Sequence, residues 1–155
     1  MRLAVFQPDI AANLGAMIRL CACFDTPLDV IEPCGFPFSV KALRRAAMDY
    51  ADLAVIERHD DWEAFQRSRS GSGSGRLILL TTDGDLSHDT ARYRPDDVLL
   101  VGRESAGAPR EVHAAADLRV RVEISAVTRS LNVGMAAAIV LAEARRQIRL
   151  GAEQG

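Results

Sequence analysis

The feature that most constrains the fold is a recurrence of short apolar runs, each followed by polar, glycine or proline residues. Examples are 3–6, Leu28–Ile31, Leu77–Leu80 and Val98–Val101. Short branched runs of this kind are typical of buried strands, and the segment 14–21 between the first two has helical periodicity. Strands that alternate with helices predict an α/β fold, with a mostly parallel sheet covered by helices on both faces.

The same patterns place the remaining elements. Asn13 is a natural cap, so we expect a helix to begin there. The acids of 60–63 form a capping box at the start of another helix. Further strands are predicted at 53–56 and 118–124, and further helices at 39–50 and 132–149.

A single domain spanning 1–155 is the simplest organisation for a chain of 155 residues. The run SRSGSGSG at 68–75 is low in complexity. Because strands and helices continue on both sides of it, we interpret this run as a flexible surface loop and not as a linker.

Composition limits the classes of function. The formal net charge of −2 gives no general attraction to nucleic acid, so RNA binding would depend on local basic patches or on two subunits that pool them. No apolar run approaches the roughly 20 residues that cross a bilayer. The N-terminus has no signal-peptide pattern, and we therefore expect a cytoplasmic protein with no membrane partner. Its cysteines and histidines show no metal-site spacing, so no metal is expected: Cys21, Cys23, Cys34, His59, His88 and His113.

The chemistry is concentrated between residues 98 and 132, where two small-residue loops follow strands. Such loops form a crevice at the carboxyl edge of a parallel sheet, where open α/β sheets bind ligands. Gly102 and Gly107 have the spacing of a phosphate loop, but Ala108 stands where that loop has its lysine and Glu104 would repel a phosphate. The loop therefore suits a neutral or cationic ligand, unless its glycines serve only to form tight turns.

Three ordered motifs resemble those of one family, the SPOUT-class (SpoU-type) RNA 2′-O-ribose methyltransferases. They are Asn13-x-Gly15-x-x-x-Arg19, Leu100-Val101-Gly102-x-Glu104-x-x-Gly107-x-Pro109 and Ser130-Leu131-Asn132. The short length and the segments 31–36 and 43–50 narrow the resemblance to the minimal TrmL/YibK-like group. That group methylates the wobble nucleotide, C or U at position 34, of certain leucine tRNAs. The resemblance covers about residues 3–149.

The resemblance implies a fold and partners that the residue pattern alone does not. It implies a deep C-terminal trefoil knot that holds S-adenosylmethionine, with S-adenosylhomocysteine as the product and no metal. It also implies a tRNA substrate and an obligate homodimer whose active sites lie at the subunit interface. The residues that it assigns to the cofactor are Leu80, Thr81, Gly102, Glu104, Gly107, Val122, Ile124, Ser130 and Leu131.

Arg19 is the catalytic residue that the resemblance places beside the reacting ribose. A guanidinium stays protonated, so we interpret its role as clamping a phosphate and stabilising the developing alkoxide, and not as a base. Asn13 and Asn132 are expected to hold Arg19 and the substrate, and Ser130 to cap the last helix and contact the ligand. The basic residues expected to contact RNA phosphates, which otherwise form a solvated face, are Arg19, Lys41, Arg44, Arg45 and Arg129, with Arg145 and Arg146 as further candidates.

Alternatives remain open at this stage. Three positions depart from the family pattern: Ala108, Glu123 and Ala142. They leave room for an RNA- or nucleotide-binding module without transfer activity, or for methylation of another tRNA or rRNA site. An unrelated nucleotide enzyme is a further alternative, against which the absence of phosphate-loop chemistry argues. The small residues of the last helix allow close packing, either within the subunit or across a dimer.

Overall fold

The computed structural model describes residues 1–37, 50, 52–72 and 75–152. Its elements in chain order are β1 Arg2–Phe6, α1 Ala11–Cys23, β2 Leu28–Ile31, β3 Ile56–His59, α2 Trp62–Ser72, β4 Leu77–Leu80, β5 Leu86–Ser87, β6 Val98–Val101, α3 Arg110–Ala115, β7 Leu118–Arg121 and α4 Val133–Ala152. The predicted helix at 39–50 lies almost entirely outside the described residues.

The described strands form one seven-stranded sheet in the order β3-β2-β1-β6-β4-β7-β5. Every pair in it is parallel. The predicted parallel α/β fold is therefore confirmed. Strand β6 lies at the centre, with β1 on one side and β4 on the other. The trefoil knot stays a prediction, because strand order does not by itself define how the chain is threaded.

Helices cover both faces of the sheet, because alternate strand residues point to opposite sides. On one face, Leu3 and Val5 of β1 pack with residues of α1 and α4. On the other face, Ala4 and Phe6 pack with Trp62 and other residues of α2 and α3. All four residues of β6 are fully or almost fully buried, as expected for a central strand whose two faces are both covered.

The predicted strand at 53–56 was wrong: β3 begins where that prediction ends. Leu53 and Val55 are 72% and 63% exposed, so this apolar run does not enter the core. Strand β3 instead contains charged residues that form ion pairs with residues of neighbouring segments. Glu57 accepts a hydrogen bond from Arg2, and Arg58 donates to a carboxylate in the loop after β2. These ion pairs accompany the pairing of β3 with β2, and apolar periodicity does not detect them.

Two other boundaries differ from the sequence prediction. Helix α2 continues to Ser72, so the first five residues of the predicted loop at 68–75 are helical. The helix begins after Asp61, whose Oδ1 accepts a hydrogen bond from the Ala64 amide at 2.6 Å. Strand β7 ends at Arg121, because the residues after it leave the ladder and line a cavity. The two-residue strand β5 had no apolar run to indicate it.

Asp29 is a buried charge that ties the first three strands together. Its carboxylate accepts hydrogen bonds from Arg2 at 2.7 Å and from His59 at 2.8 Å. A buried carboxylate is tolerated only where such partners replace water. Asp29, Glu57 and His59 lie close enough to hold a metal ion, but the Arg2 guanidinium already bonds both carboxylates. Among the described helices, none is long and apolar enough to cross a membrane.

Gly84 marks a point where two backbone segments touch. A Cβ at Gly84 would lie 2.4 Å from the Val120 carbonyl carbon and 2.5 Å from the Arg121 nitrogen. Backbone atoms cannot move aside as a flexible side chain can, so only glycine fits between the turn after β4 and strand β7. Gly71, in contrast, lies in α2, and a Cβ there would have no atom within 4 Å.

We predict that Gly84→Ala lowers the free energy of unfolding by about 1–3 kcal/mol through overpacking. The matched change Gly71→Ala should raise it by about 0.5 kcal/mol, because alanine is the better helix residue. Urea denaturation with an unchanged slope measures both effects. A Gly84→Ala protein with the wild-type midpoint would show that the two segments separate without cost.

Candidate active site

A cavity of about 640 Å³ lies at the carboxyl edge of the sheet, beyond β4, β6 and β7. Its walls come from the turn after β4, the loop after β6, the segment 120–133 and the start of α1. All strands run in the same direction, so their carboxyl ends and following loops meet at one edge. The volume is within the usual range for a small-molecule site, roughly 300–1,000 Å³.

The loop after β6 folds back on itself and forms one wall. The Arg103 amide donates to the Gly107 carbonyl at 3.0 Å, and the Gly107 amide donates to the Arg103 carbonyl at 2.9 Å. Gly107 has a φ of 67°, a left-handed conformation that favours glycine. A Cβ at Gly102 would lie 2.5 Å from the Gly107 carbonyl carbon. Both glycines are therefore required by the turn itself, and the loop presents backbone to the cavity.

Asn132 links the last helix to the first. Its Oδ1 accepts hydrogen bonds from the amides of Gly134 at 2.9 Å and Met135 at 3.3 Å, so Asn132 caps α4. Its Nδ2 donates to Oδ1 of Asn13 at 2.9 Å. The predicted cap by Ser130 was wrong, because the helix begins at Val133, three residues later.

Asn13 does not cap α1, which begins at Ala11 with Ile10 in the capping position and no side-chain cap. The prediction was wrong because the Asn13 amide already donates to the Ile10 carbonyl inside the first turn. The side chain of Asn13 is thereby free to bond Asn132. The two asparagines bond each other across the cavity rim, and within the described residues neither bonds Arg19.

The cavity collects the residues that the sequence resemblance assigned to a cofactor. Asn13 and Asn132 also line it. All nine cofactor residues are in its wall: Leu80, Thr81, Gly102, Glu104, Gly107, Val122, Ile124, Ser130 and Leu131. Sequence reasoning did not assign Ile10, Asp83, Arg103 or His113 to a site, although they also line the cavity. Arg103 lies within the loop that the sequence had marked as a ligand site, whereas no motif or residue spacing predicted that His113 on α3 would line the cavity.

Arg19 is not among the cavity-lining residues. It lies on α1 six residues after Asn13, about 9 Å further along the axis at the usual helical rise. Its side chain is exposed, and the guanidinium lies over the ring of Tyr50 at 4.8 Å. Arg129 is exposed in the loop before α4 and is also outside the wall. Lys41, Arg44 and Arg45 lie outside the described residues.

The last two basic candidates, Arg145 and Arg146, are engaged in local contacts. Arg145 donates to the carbonyl of Phe24 and lies over its ring at 5.2 Å. Arg146 forms an ion pair with Glu143 at 2.7 Å. Glu143 also accepts from Gln147 at 2.8 Å. These contacts give both arginines roles within the subunit.

Two carboxyl groups meet at the cavity, one from the loop after β1 and one from the loop after β6. The Asp9 amide donates to Oε2 of Glu104 at 2.9 Å, and the Ser105 hydroxyl donates to Asp9. Burial raises the pKa of Glu104, and the facing carboxyl of Asp9 adds to that increase. The contacts with Glu104 and Ser105 lower the pKa of Asp9 to about 2. The pair therefore retains a proton on Glu104 at acidic pH while Asp9 is ionised.

The wall of the cavity is mixed. Aliphatic side chains such as Leu80, Val122 and Ile124 form part of it, and polar or charged residues such as Asp83 and His113 form another part. Nε of Arg103 is buried and has no hydrogen-bond partner within the described part of the chain. A buried donor of this kind favours a ligand that brings its own acceptor.

A parallel α/β sheet with a glycine-lined ligand cavity at its carboxyl edge defines a nucleotide- or cofactor-binding class of protein. The comparisons give the family. The model of the SpoU rRNA Methylase family matches residues 1–142. The chain belongs to this family.

Relatives match the chain over nearly its whole length. A Beijerinckia indica protein named tRNA (cytidine(34)-2′-O)-methyltransferase is 49% identical over 146 residues, covering 94% of this chain and 91% of its own. An Escherichia coli protein of the same name is 35% identical, covering 96% and 94%. A solved structure described as giving structural insights into the 2-OH methylation of C/U34 on tRNA is 35% identical, covers 94% of each chain and has a TM-score of 0.88.

A second solved structure is an AdoMet-bound rRNA methyltransferase from Sinorhizobium meliloti. It is 28% identical with a TM-score of 0.83, and the match covers 94% of this chain but 55% of that one. The expected family is therefore confirmed.

We predict that Asn132→Ala lowers the free energy of unfolding by about 1 kcal/mol, since it removes the cap of α4. Asn132→Asp keeps the cap acceptor and should cost less. Urea denaturation of the two variants measures the difference. Equal losses would show that the hydrogen bond from the Asn132 side chain to Asn13, and not the cap, is the stabilising contact.

Proposed function

We propose that the protein transfers a methyl group from S-adenosylmethionine to the ribose 2′-oxygen of nucleotide 34 of a tRNA. The observation that carries this proposal is the near full-length similarity to relatives named for that reaction, 49% and 35% identical. The cavity supports it as well, because all nine residues assigned to the cofactor from the motifs line this one cavity.

The cavity fits S-adenosylmethionine in its chemistry. Apolar side chains such as Leu80 and Val122 suit the adenine and the thioether, and the backbone of the loop after β6 offers amides and carbonyls. The unpartnered Nε of Arg103 suits the carboxylate of the methionyl group. When bound, the cofactor supplies an electrophilic methyl on a sulfonium. The protein then needs to orient the ribose and to manage its proton.

The catalytic role of Arg19 requires a second subunit in this proposal. Arg19 is exposed and lies outside the cavity wall of its own chain. A homodimer places the Arg19 of one subunit at the cavity of the other. The guanidinium then clamps the phosphate next to the target ribose and stabilises the charge that develops on the 2′-oxygen.

An apolar stripe on α4 supports the homodimer. Met135 and Ile139 are 59% and 37% exposed, and their spacing places them on one face of the helix. Ile10, at the start of α1, is 47% exposed and also lines the cavity. An apolar face beside the cavity suits a second copy of the chain. Two of the small residues of α4, Ala137 and Ala144, in contrast serve packing within the subunit, because they are buried in the core.

tRNA binding depends on local basic residues, since the formal net charge is −2. Arg129 is exposed in the loop that borders the cavity, next to Ser130. We assign phosphate contacts to Arg19 and Arg129, and retain Lys41, Arg44 and Arg45 as candidates from the sequence.

The test of the reaction is methyl transfer from labelled S-adenosylmethionine to bulk tRNA that lacks wobble 2′-O-methylation, followed by nucleoside mapping. We predict label on the ribose at position 34. Label at another position would keep the reaction and overturn the substrate. Cofactor binding without label in any RNA would instead favour a binding module.

The test of the dimer is complementation between two inactive variants. We predict that Arg19→Ala loses most turnover but keeps cofactor binding. Ala106→Trp should block the cavity, because Ala106 is exposed on its wall. If Arg19 acts across the interface, mixing the two should restore about a quarter of wild-type activity, from one intact site in each mixed dimer. If the two variants exchange subunits and activity is still not restored, each active site would be formed by Arg19 and the cavity of the same chain.

A further inference from the structure

The carboxyl pair at the cavity bears on the fate of the proton that the reaction releases. Methylation of a ribose hydroxyl must remove a proton from the 2′-oxygen. Arg19 is no acceptor, because a guanidinium stays protonated, and the amides of Asn13 and Asn132 are not bases. A carboxylate with a raised pKa is a suitable acceptor near neutral pH.

Glu104 has the position that such an acceptor requires. It lines the cavity, and its Oε2 is held by the Asp9 amide at 2.9 Å. Its other oxygen, Oε1, is buried and accepts no hydrogen bond within the described residues. One oxygen is thus held by the protein, and the other is an unsatisfied acceptor in a side chain of the cavity wall.

Asp9 is held against Glu104 by three loops. The Ser105 hydroxyl donates to its carboxylate. On its other side, a Cβ at Gly35 would lie 2.7 Å from Cβ of Asp9, and the Gly35 amide donates to the Pro8 carbonyl at 2.9 Å. The loops after β1, β2 and β6 therefore meet at the pair, and the close contact with Gly35 limits the movement of Asp9.

We propose that Glu104 accepts the proton of the ribose 2′-hydroxyl and that Asp9 positions Glu104 for this step, an inference that rests on the proposed function. The O–H bond of the ribose breaks and its proton forms a bond to Oε1. The oxygen electron pair forms the new bond to the methyl carbon. The carbon–sulfur bond breaks with its electrons on sulfur, which leaves a neutral thioether, and Glu104 later returns the proton to water.

The environment of Glu104 sets the pH range of this step. Burial, followed by the carboxyl of Asp9, raises the pKa of Glu104, while the side chain of Asn13 acts in the opposite direction. Transfer requires the ionised carboxylate, so the rate should rise with pH as Glu104 loses its proton. The other titratable or charged groups around it are Cys34 on the loop after β2, and Asp83, Arg103 and His113 on the cavity wall.

The test is the pH dependence of the single-turnover rate at saturating cofactor and tRNA. Glu104→Gln should lower the rate about 10²- to 10⁴-fold and abolish the rising limb of the pH–rate profile, the range in which the rate increases with pH. Asp9→Asn should move that limb to lower pH, because it removes the negative neighbour that raises the pKa of Glu104. Glu32→Gln is the matched control: its carboxylate bonds Arg58 and does not contact Glu104, so the limb should stay in place.

A rising limb that stays in place in Asp9→Asn, or near wild-type turnover in Glu104→Gln, would overturn the inference. Carbon-13 NMR titration of the Glu104 carboxyl, without RNA, separates this failure from failure of the proposed function. A raised pKa that falls in Asp9→Asn supports the pair, and an ordinary pKa in both proteins overturns it. Wild-type protein that methylates no tRNA would overturn the proposed function whatever the titration shows.

Discussion

The parallel ladder around β6 is the constraint on which the rest of the structure depends. Its four residues pair with β1 on one side and β4 on the other, and both of its faces are covered. A parallel pair cannot be joined by a tight turn, so each connection crosses the sheet as a helix or long loop. The return connections place every carboxyl end at one edge. The cavity therefore follows from strand direction before any particular side chain is considered.

Close approach of backbone gives that edge its shape. Gly84 lies against β7, Gly102 against the loop that follows it, and Gly35 against Asp9. At each point a Cβ would meet atoms closer than 3 Å, which is less than the contact distance of real Cβ atoms. The loops can pack this tightly only because glycines stand where they touch. Glu104 lies at this edge, and its partial burial there raises the pKa of its carboxyl group.

The cavity combines two kinds of recognition. Its aliphatic wall, from residues such as Val122 and Ile124, has little directional preference, whereas Arg103, Glu104 and Asn132 are polar groups with defined orientations. The Asn13–Asn132 bond joins the first helix to the last at the cavity rim, so the N-terminal and C-terminal parts of the chain both shape the site. Arg19 lies outside this wall.

The sequence by itself determined the parallel α/β fold and most strands, and the family resemblance of its motifs named nine residues that line the cavity. Buried strands can be recognised as short apolar runs, and the loop motifs can be recognised from a few neighbouring residues. Tertiary structure decided what local patterns do not contain. Strand β3 follows ion pairs to Arg2 and Glu32, not the exposed Leu53 and Val55. Asn13 bonds a residue 119 positions away instead of capping its helix. The Asp9–Glu104 pair spans 95 positions. Interactions over such separations depend on which segments the folded sheet brings together, and no local spacing encodes them.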